Sequence, residues 1–562
     1  MRHVVLFAIA FAFFSGLPFG SQAQDDNHPF ILPIQGDPGP NRWLFGQAYG
    51  NTTGAFNFGT EWYSAGQGLH FGLDFPAPCG TPLVAVADGE VAGVDDLTRG
   101  AGPHNLLLVH RELGVTTLYG HLLRRADLFP GQLVRQGDVI GLSGDPDRTC
   151  DSRPHLHFEV RSLDYRTAYN PVDYIDANWH TLASVGGYGY PLFQQDMDNA
   201  RRWMTLEDQP ATAFGGARLN AYDAAWPLPF DLRPPDNAPL PRPYRPLPDN
   251  LDWQLRRVGF DQCCWSHWWD PVDPDRFYVI DGSPGQRAAV SAWDATTGTV
   301  AGIVNAAPPA VTSPDGRYEI YNNGGYARIV DRTNDSEFTT PLLGATPAIN
   351  PGGTRLTWTT RSAGVLPGQA RPIASVWVAD LDGYNARQIA SEPDLSGRWL
   401  DADRLLLSQR SSGPQTTLSV YDLRDNSRFT LGTFDNIRGL TVAPGGAHLM
   451  FYLLFQPEPA ASGVYLLATT PDPQPVHMPW FGAWRWRDSG SVYYLPFDPS
   501  SPHHTLAHYD ITTGEDRILV VPETQPFTIM NGDWDVSADG RRIIFQNALD
   551  RNMWLLEWAE PD

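Results

Sequence analysis

The chain predicts an all-β fold: a small antiparallel β-sheet domain, then a β-propeller of six or seven blades. Three observations predict it. Fifty prolines and 53 glycines, with 19 tryptophans and 21 tyrosines, favour turns and strands over long helices. From His70 to about Tyr174, short apolar runs alternate with Gly and Asp turns. From about residue 253 onward, one turn sequence keeps returning. At 562 residues the chain exceeds one hydrophobic core, so two or three domains are expected.

The N-terminus reads as an export signal rather than as fold. Arg2 and His3 precede an apolar run from Val4 to Phe14, then Gly16 and Pro18, and Ser21-Gln22-Ala23 offers small residues for cleavage. The run is too short for a membrane anchor, which needs about 20 apolar residues. No cysteine lies near the cleavage point, which argues against lipid modification. The expected order is a signal peptide at 1–23, an irregular lead-in at 24–67, a small β domain at 68–180, a Pro-rich linker at 181–250 and the propeller at 251–562. The mature chain is therefore expected outside the cytoplasm, secreted or in the cell envelope, without spanning a membrane.

Within the first domain, Val84-Ala85-Val86-Ala87, Asp88-Gly89 and Glu90-Val91 form a hairpin signal. Leu106–Val109 and Val115–Tyr119 read as further strands, and Asp196–Met204 as a short helix. Pro227 to Pro248 is crowded with proline and reads as a semi-rigid extended linker. In the C-terminal half, Ser313-Pro314-Asp315-Gly316-Arg317 returns as Asn350-Pro351-Gly352-Gly353-Thr354. It returns again as Ala443-Pro444-Gly445-Gly446-Ala447 and Ser537-Ala538-Asp539-Gly540-Arg541. A second turn follows later in the units, as in Trp293–Gly298, Tyr421-Asp422-Leu423 and Tyr509–Gly514. The period is close to the ~40 residues of a four-stranded blade, and such units must stack to bury their faces. The segment resembles the propellers of the TolB type. Six units and a shorter seventh ending near Trp558 can be counted.

Composition removes several function classes. A formal charge of −23 opposes nucleic-acid binding. All 40 Lys/Arg positions are arginine, so P-loop and Schiff-base lysine chemistry is excluded. There is no Gly-x-Ser-x-Gly elbow and no His-Glu-x-x-His helix. Four cysteines are too few for a disulfide scaffold. Cys79 and Cys150, which flank the site described next, read as a disulfide pinning the loop before His155 or as two separate buried thiols. Cys263 and Cys264 have no assignable partners.

Three stretches carry the chemistry: His70-Phe71-Gly72-Leu73-Asp74, Leu118-Tyr119-Gly120-His121-Leu122 and His155-Leu156-His157-Phe158-Glu159-Val160. In strands, alternate residues share a face, so His70 lies with Asp74, and His155 with His157. Two histidines and a carboxylate satisfy a catalytic zinc, which keeps one position open for water. Residues 68 to 174 resemble the lysostaphin (LytM-like) family of zinc endopeptidases. The resemblance runs through Gly68-Leu69-His70, Asp74, Gly80-Thr81-Pro82, Asp88-Gly89, Tyr119-Gly120-His121-Leu122, Gly131 to Gly141 and Pro154–Glu159. It implies one Zn2+ held by His70, Asp74 and His157, with His121 and His155 as catalytic histidines. The loop Gly144–Arg153 departs from the family's small-residue run.

The bland readings concern other residues. His110 reads as a core histidine, His104 as a loop residue, and His503-His504 as a solvated blade loop. Asp270, Asp273 and Asp275 read as turn formers rather than a calcium loop. The expected function is hydrolysis of peptide bonds in peptidoglycan cross-links or stem peptides. A Gly-rich peptide is the other substrate, and the propeller is expected to bind a protein or glycan ligand. The alternative is a non-hydrolytic envelope regulator or protein-binding scaffold.

Overall fold

The computed structural model describes residues 28–50, 52, 55, 69–185, 205–215, 240–259, 266–281, 289–305, 311–313, 315–322, 326–341, 347–362, 371–411 and 413–559. The signal segment, the Asp196–Met204 helix, Cys263-Cys264 and the first half of the Pro-rich stretch lie outside them. Among the described residues no helix is long and apolar enough to cross a membrane.

The N-terminal domain is built on an eight-stranded antiparallel sheet. Its order is Thr212–Ala213, Thr167–Tyr169, His155–Ser162, Val115–Gly120, Leu106–His110, Gly89–Val94 and Leu133–Val134, and Leu73–Pro76 pairs with the His155–Ser162 strand. Val115–Gly120 is buried along its whole length, as a central strand of apolar and β-branched residues should be. The described residues of the lead-in pack into this domain. Phe30, Trp43, Phe45 and Tyr49 sit in its core, and the Tyr49 hydroxyl donates to Ala168 O and Pro210 O. Cys79 and Cys150 form a disulfide.

Seven four-stranded antiparallel sheets make the propeller. The six- or seven-bladed expectation resolves to seven because Asp252–Val258, at the start of the repeat region, pairs with Asn552–Ala559, at its end. That closure removes the open edges a linear stack would leave. The repeated turn is held by its own side chains. Ser313 Oγ accepts from Tyr318 N at 2.8 Å and Asp315 Oδ1 from Arg317 N at 3.1 Å; Ser537 and Asp539 repeat this at 3.0 and 3.1 Å. Gly316 and Gly540 take φ of 68° and 72°, the left-handed region that glycine tolerates. In the second turn, Asp510 Oδ1 accepts from Thr512 N and Thr513 N.

The two parts meet over a packed contact. Leu44 and Val185 join a cluster with Met450, Tyr452 and Trp480 of the propeller. Asn178 Nδ2 donates to Pro499 O at 2.9 Å, Thr181 Oγ1 to Ser501 O at 3.0 Å, and Arg551 pairs with Asp208 at 2.8 Å. The described end of the Pro-rich stretch lies on the propeller, where Tyr244 OH donates to Asp510 and Arg245 N to Asp488. His504, expected to be solvated, is buried and accepts from Ile529 N at 3.1 Å; burial pushes its pKa down to about 3.

Candidate metal centre

Register brings the predicted residues together. The Leu73–Pro76 strand lies antiparallel to His155–Ser162 with Asp74 opposite His157 and Pro76 opposite His155. The other edge of that strand sets Gly120 opposite His157, so His121 follows directly into the site. Close packing explains two of the motif's glycines. A Cβ at Gly72 would lie 2.4 Å from Phe158 O, and one at Gly120 would lie 2.4 Å from the Ala101 Cβ. His121 itself takes a φ of 57°, a conformation rare outside glycine and common at functional sites.

His70, Asp74 and His157 each offer a donor atom, all within 4.8 Å of one another. His157 Nδ1 lies 2.9 Å from Asp74 Oδ1, His70 Nε2 lies 3.2 Å from the same oxygen, and the two ring nitrogens are 3.1 Å apart. Each ring is oriented by its other nitrogen. His70 Nδ1 donates to Ala48 O at 2.7 Å, and His157 Nε2 to Glu159 Oε1 at 2.9 Å. With both rings neutral, two nitrogen lone pairs and a carboxylate oxygen would converge, a donor set that suits a zinc-type cation.

The remaining two histidines follow the same rule. His155 Nδ1 donates to Arg153 O at 2.7 Å, and His121 Nδ1 donates to Gly102 O. Their Nε2 atoms remain available, and His155 Nε2 is 3.6 Å from Asp74 Oδ1. The His121 and His155 ring centroids are 4.8 Å apart. All five predicted site residues therefore lie together.

Electrostatics sorts these groups. Burial would raise Asp74, but His70 and His155 hold it well below the ordinary carboxylate range. Burial would lower His157; hydrogen bonds to the Asp74 and Glu159 carboxylates instead raise it to about 9 in the metal-free site. Burial lowers both His121 and His155, so each is neutral at pH 7. Glu159 belongs to the His155–Val160 motif, yet nothing in the sequence assigns it a role. Burial would raise its pKa, yet Arg161, 2.6 Å away, lowers it to about 2. Its one-residue alternation with His157 and Arg161 along the strand was the available signal. His110 is a core residue, bonded to Asp88 O and Thr117 Oγ1. Asp270 and Asp273 cap backbone amides of their own turn.

An antiparallel sheet carrying a His-Asp-His donor set flanked by two neutral histidines defines a metallopeptidase-type domain. Comparison with known proteins gives its family. Residues 68–171 match peptidase family M23 and form a domain of that family. Over 93 residues the chain is 40% identical to the DD-carboxypeptidase/endopeptidase Mpg of Neisseria meningitidis serogroup B, covering 16% of this chain and 20% of that protein. Over 114 residues it is 32% identical to lysostaphin of Staphylococcus simulans, covering 19% of this chain and 22% of that one. The solved catalytic domain of that lysostaphin aligns at 24% identity and a TM-score of 0.19, covering 23% of this chain and 90% of that chain. The chain thus spans about a fifth of the length of the curated relatives it matches.

Proposed function

We propose that this chain is an extracytoplasmic zinc endopeptidase that hydrolyses peptide bonds in peptidoglycan cross-links or stem peptides. One observation carries the reading. Four histidines and Asp74 converge, and each ring has one nitrogen tied to a carbonyl or carboxylate and the other turned into the site. The match to peptidase family M23 supports it, as do relatives named for endopeptidase activity.

His70 Nε2, an Asp74 carboxylate oxygen and His157 Nδ1 would hold the ion. Zinc so bound would supply Lewis acidity, the chemistry that polarises a carbonyl and activates water near neutral pH. Glu159 fixes the His157 tautomer, and Ala48 O fixes that of His70. His121 and His155, neutral at pH 7, can each take a proton at Nε2 and return it to a leaving amine. Their Nδ1–H bonds to backbone carbonyls keep the rings from turning away. The N-terminal segment exports the chain, and the propeller helps hold the enzyme on its target. Metal analysis of the dialysed protein should give about one zinc per chain. Alanine at His70, Asp74 or His157 should abolish retention; full metal content in any of the three would remove that ligand.

A further inference from the structure

We propose that Asp145 is a positioning residue for the reaction: its buried carboxylate gathers the loop before His155 and, through the Arg153 carbonyl, holds the His155 ring with Nε2 facing the site. This rests on reading the N-terminal domain as a peptidase.

Gly144–Arg153 is the loop that departs from the family's small-residue run, and it carries three aspartates. Asp147 and Asp151 are exposed, whereas Asp145 is 2% exposed. Its Oδ1 accepts from Asp147 N at 2.9 Å, and its Oδ2 from Ser152 N at 3.2 Å, Thr149 Oγ1 at 3.3 Å and Arg153 N at 3.4 Å. The Ser152 hydroxyl lies 3.0 Å from both oxygens. Burial would raise the Asp145 pKa, but the Asp147 amide, the Ser152 hydroxyl and the Ser152 and Arg153 amides hold it below the ordinary carboxylate range. One anion thus ties the loop's second residue to its last two, with bonds that its charge strengthens. The Cys79–Cys150 disulfide anchors the middle of the loop and leaves that closure to Asp145.

The closure passes directly to a ring. His155 Nδ1 donates to Arg153 O at 2.7 Å, so the direction of that carbonyl sets the ring's tautomer and its facing. Arg153 is held at its own amide by Asp145, and as the residue before a proline it is restricted to extended conformations. The ring of Pro154 fixes the next φ. Beyond it, Pro154 O accepts from Ala77 N at 3.2 Å, and His155 N donates to Gly144 O at 3.0 Å. Held on both sides, the Arg153 carbonyl has little freedom left. Without Asp145, only the downstream side stays fixed.

The start of the loop also touches the second catalytic histidine's segment. Ser143 pairs with Leu122, and Gly144 pairs with His155. A Cβ at Gly144 would lie 2.5 Å from Leu123 N and 2.7 Å from His121 O. Asp145 therefore follows a two-residue splint between the backbone after His121 and the backbone of His155.

The test reads the ring itself by NMR. Histidine labelled at its ring nitrogens is incorporated into the full, zinc-loaded chain, and the His155 signals are assigned by their loss in His155→Ala. At neutral pH the parent's His155 should be the Nδ1–H tautomer. Asp145→Ala should turn it into a mixture, while zinc content and the core His110, bonded to Asp88 O, stay as they are. Asp145→Asn keeps one acceptor oxygen and should fall between the two; it carries the comparison if the alanine chain does not fold. On a cleaved peptide, Asp145→Ala should lower kcat about 10–100-fold, the usual cost of misplacing a group that does chemistry. Added to His155→Ala, it should cost little more, because it acts through that ring. The proposal is overturned by a parent ring lacking Nδ1–H or by a tautomer that neither Asp145 variant moves. A loss confined to KM, or one repeated in full on top of His155→Ala, would overturn it too. A tautomer shift without peptide cleavage by the parent would sustain the role of Asp145 and sink the peptidase reading. Cleavage with an unmoved tautomer would do the reverse.

Discussion

Replacing Glu159 by alanine strips two buried partners at once. Its Oε2 accepts from Arg161 Nε at 2.6 Å, with both side chains 5% exposed, and its Oε1 accepts from His157 Nε2 at 2.9 Å. Arg161 would keep its bond to Arg99 O but lose its counter-charge. Removing one partner of a buried pair costs roughly 3–5 kcal/mol. Loss of the carboxylate that orients a metal-binding histidine lowers metal affinity about 10–100-fold. The first effect is read by urea denaturation of the metal-stripped protein, followed by tryptophan fluorescence, and the second by zinc competition with a chelator. Glu159→Gln, which keeps an acceptor oxygen and the side-chain volume, should fall between the two. A Glu159→Ala protein whose stability stays within about 0.5 kcal/mol of the parent, with unchanged zinc affinity, would refute the reasoning.

Four more outcomes follow from the same geometry. Because the Glu159 pKa falls from 4.5 to about 2 on folding, its contribution is complete above pH 4.5 and is lost as pH falls through about 2. Acid titration of the metal-free protein should therefore show a shallower stability loss over that window in Glu159→Gln. His121→Ala and His155→Ala should each retain zinc and lose about 10²–10⁴-fold in kcat; a near-parental kcat would free that histidine of its role. The Cys79→Ala/Cys150→Ala pair opens a loop of sequence separation 71, which chain entropy values at about 4 kcal/mol, and urea midpoints before and after reduction measure it. A chain ended at residue 215 keeps the five site residues and the Thr212–Ala213 strand. It should bind zinc and cleave an amidated peptide at near-parental rate, but melt lower because Leu44 and Val185 lose their propeller cover.

How much of this was legible depends on the range of each interaction. The candidate residues were readable because each short motif is local and strand alternation puts His70 with Asp74 and His155 with His157; their meeting depends on the pairing of Leu73–Pro76 and Val115–Gly120 with His155–Ser162. The blade turns were readable for the same reason, since Ser313, Asp315 and Gly316 build their turn locally. The blade number was not. It depends on Asp252–Val258 pairing with a strand some 300 residues later, and no local period reports that closure. The lead-in was hard for a similar reason. Trp43, Phe45 and Tyr49 lie outside the named strands, yet tertiary packing buries them, and Ala48 O bonds His70 Nδ1. His504 looked like a polar loop residue, and its burial follows from the Phe527 and Ile529 segments folding over it.

The most direct test of the central claim is digestion of purified peptidoglycan by the full zinc-loaded chain, with released fragments identified by mass spectrometry and new α-amino groups counted. New amino termini from cleaved peptide bonds are expected, lost on metal removal, restored by about one equivalent of zinc, and absent with His155→Ala. It would be contradicted if peptides stayed intact in every digest, or if new termini appeared equally with the metal-stripped protein.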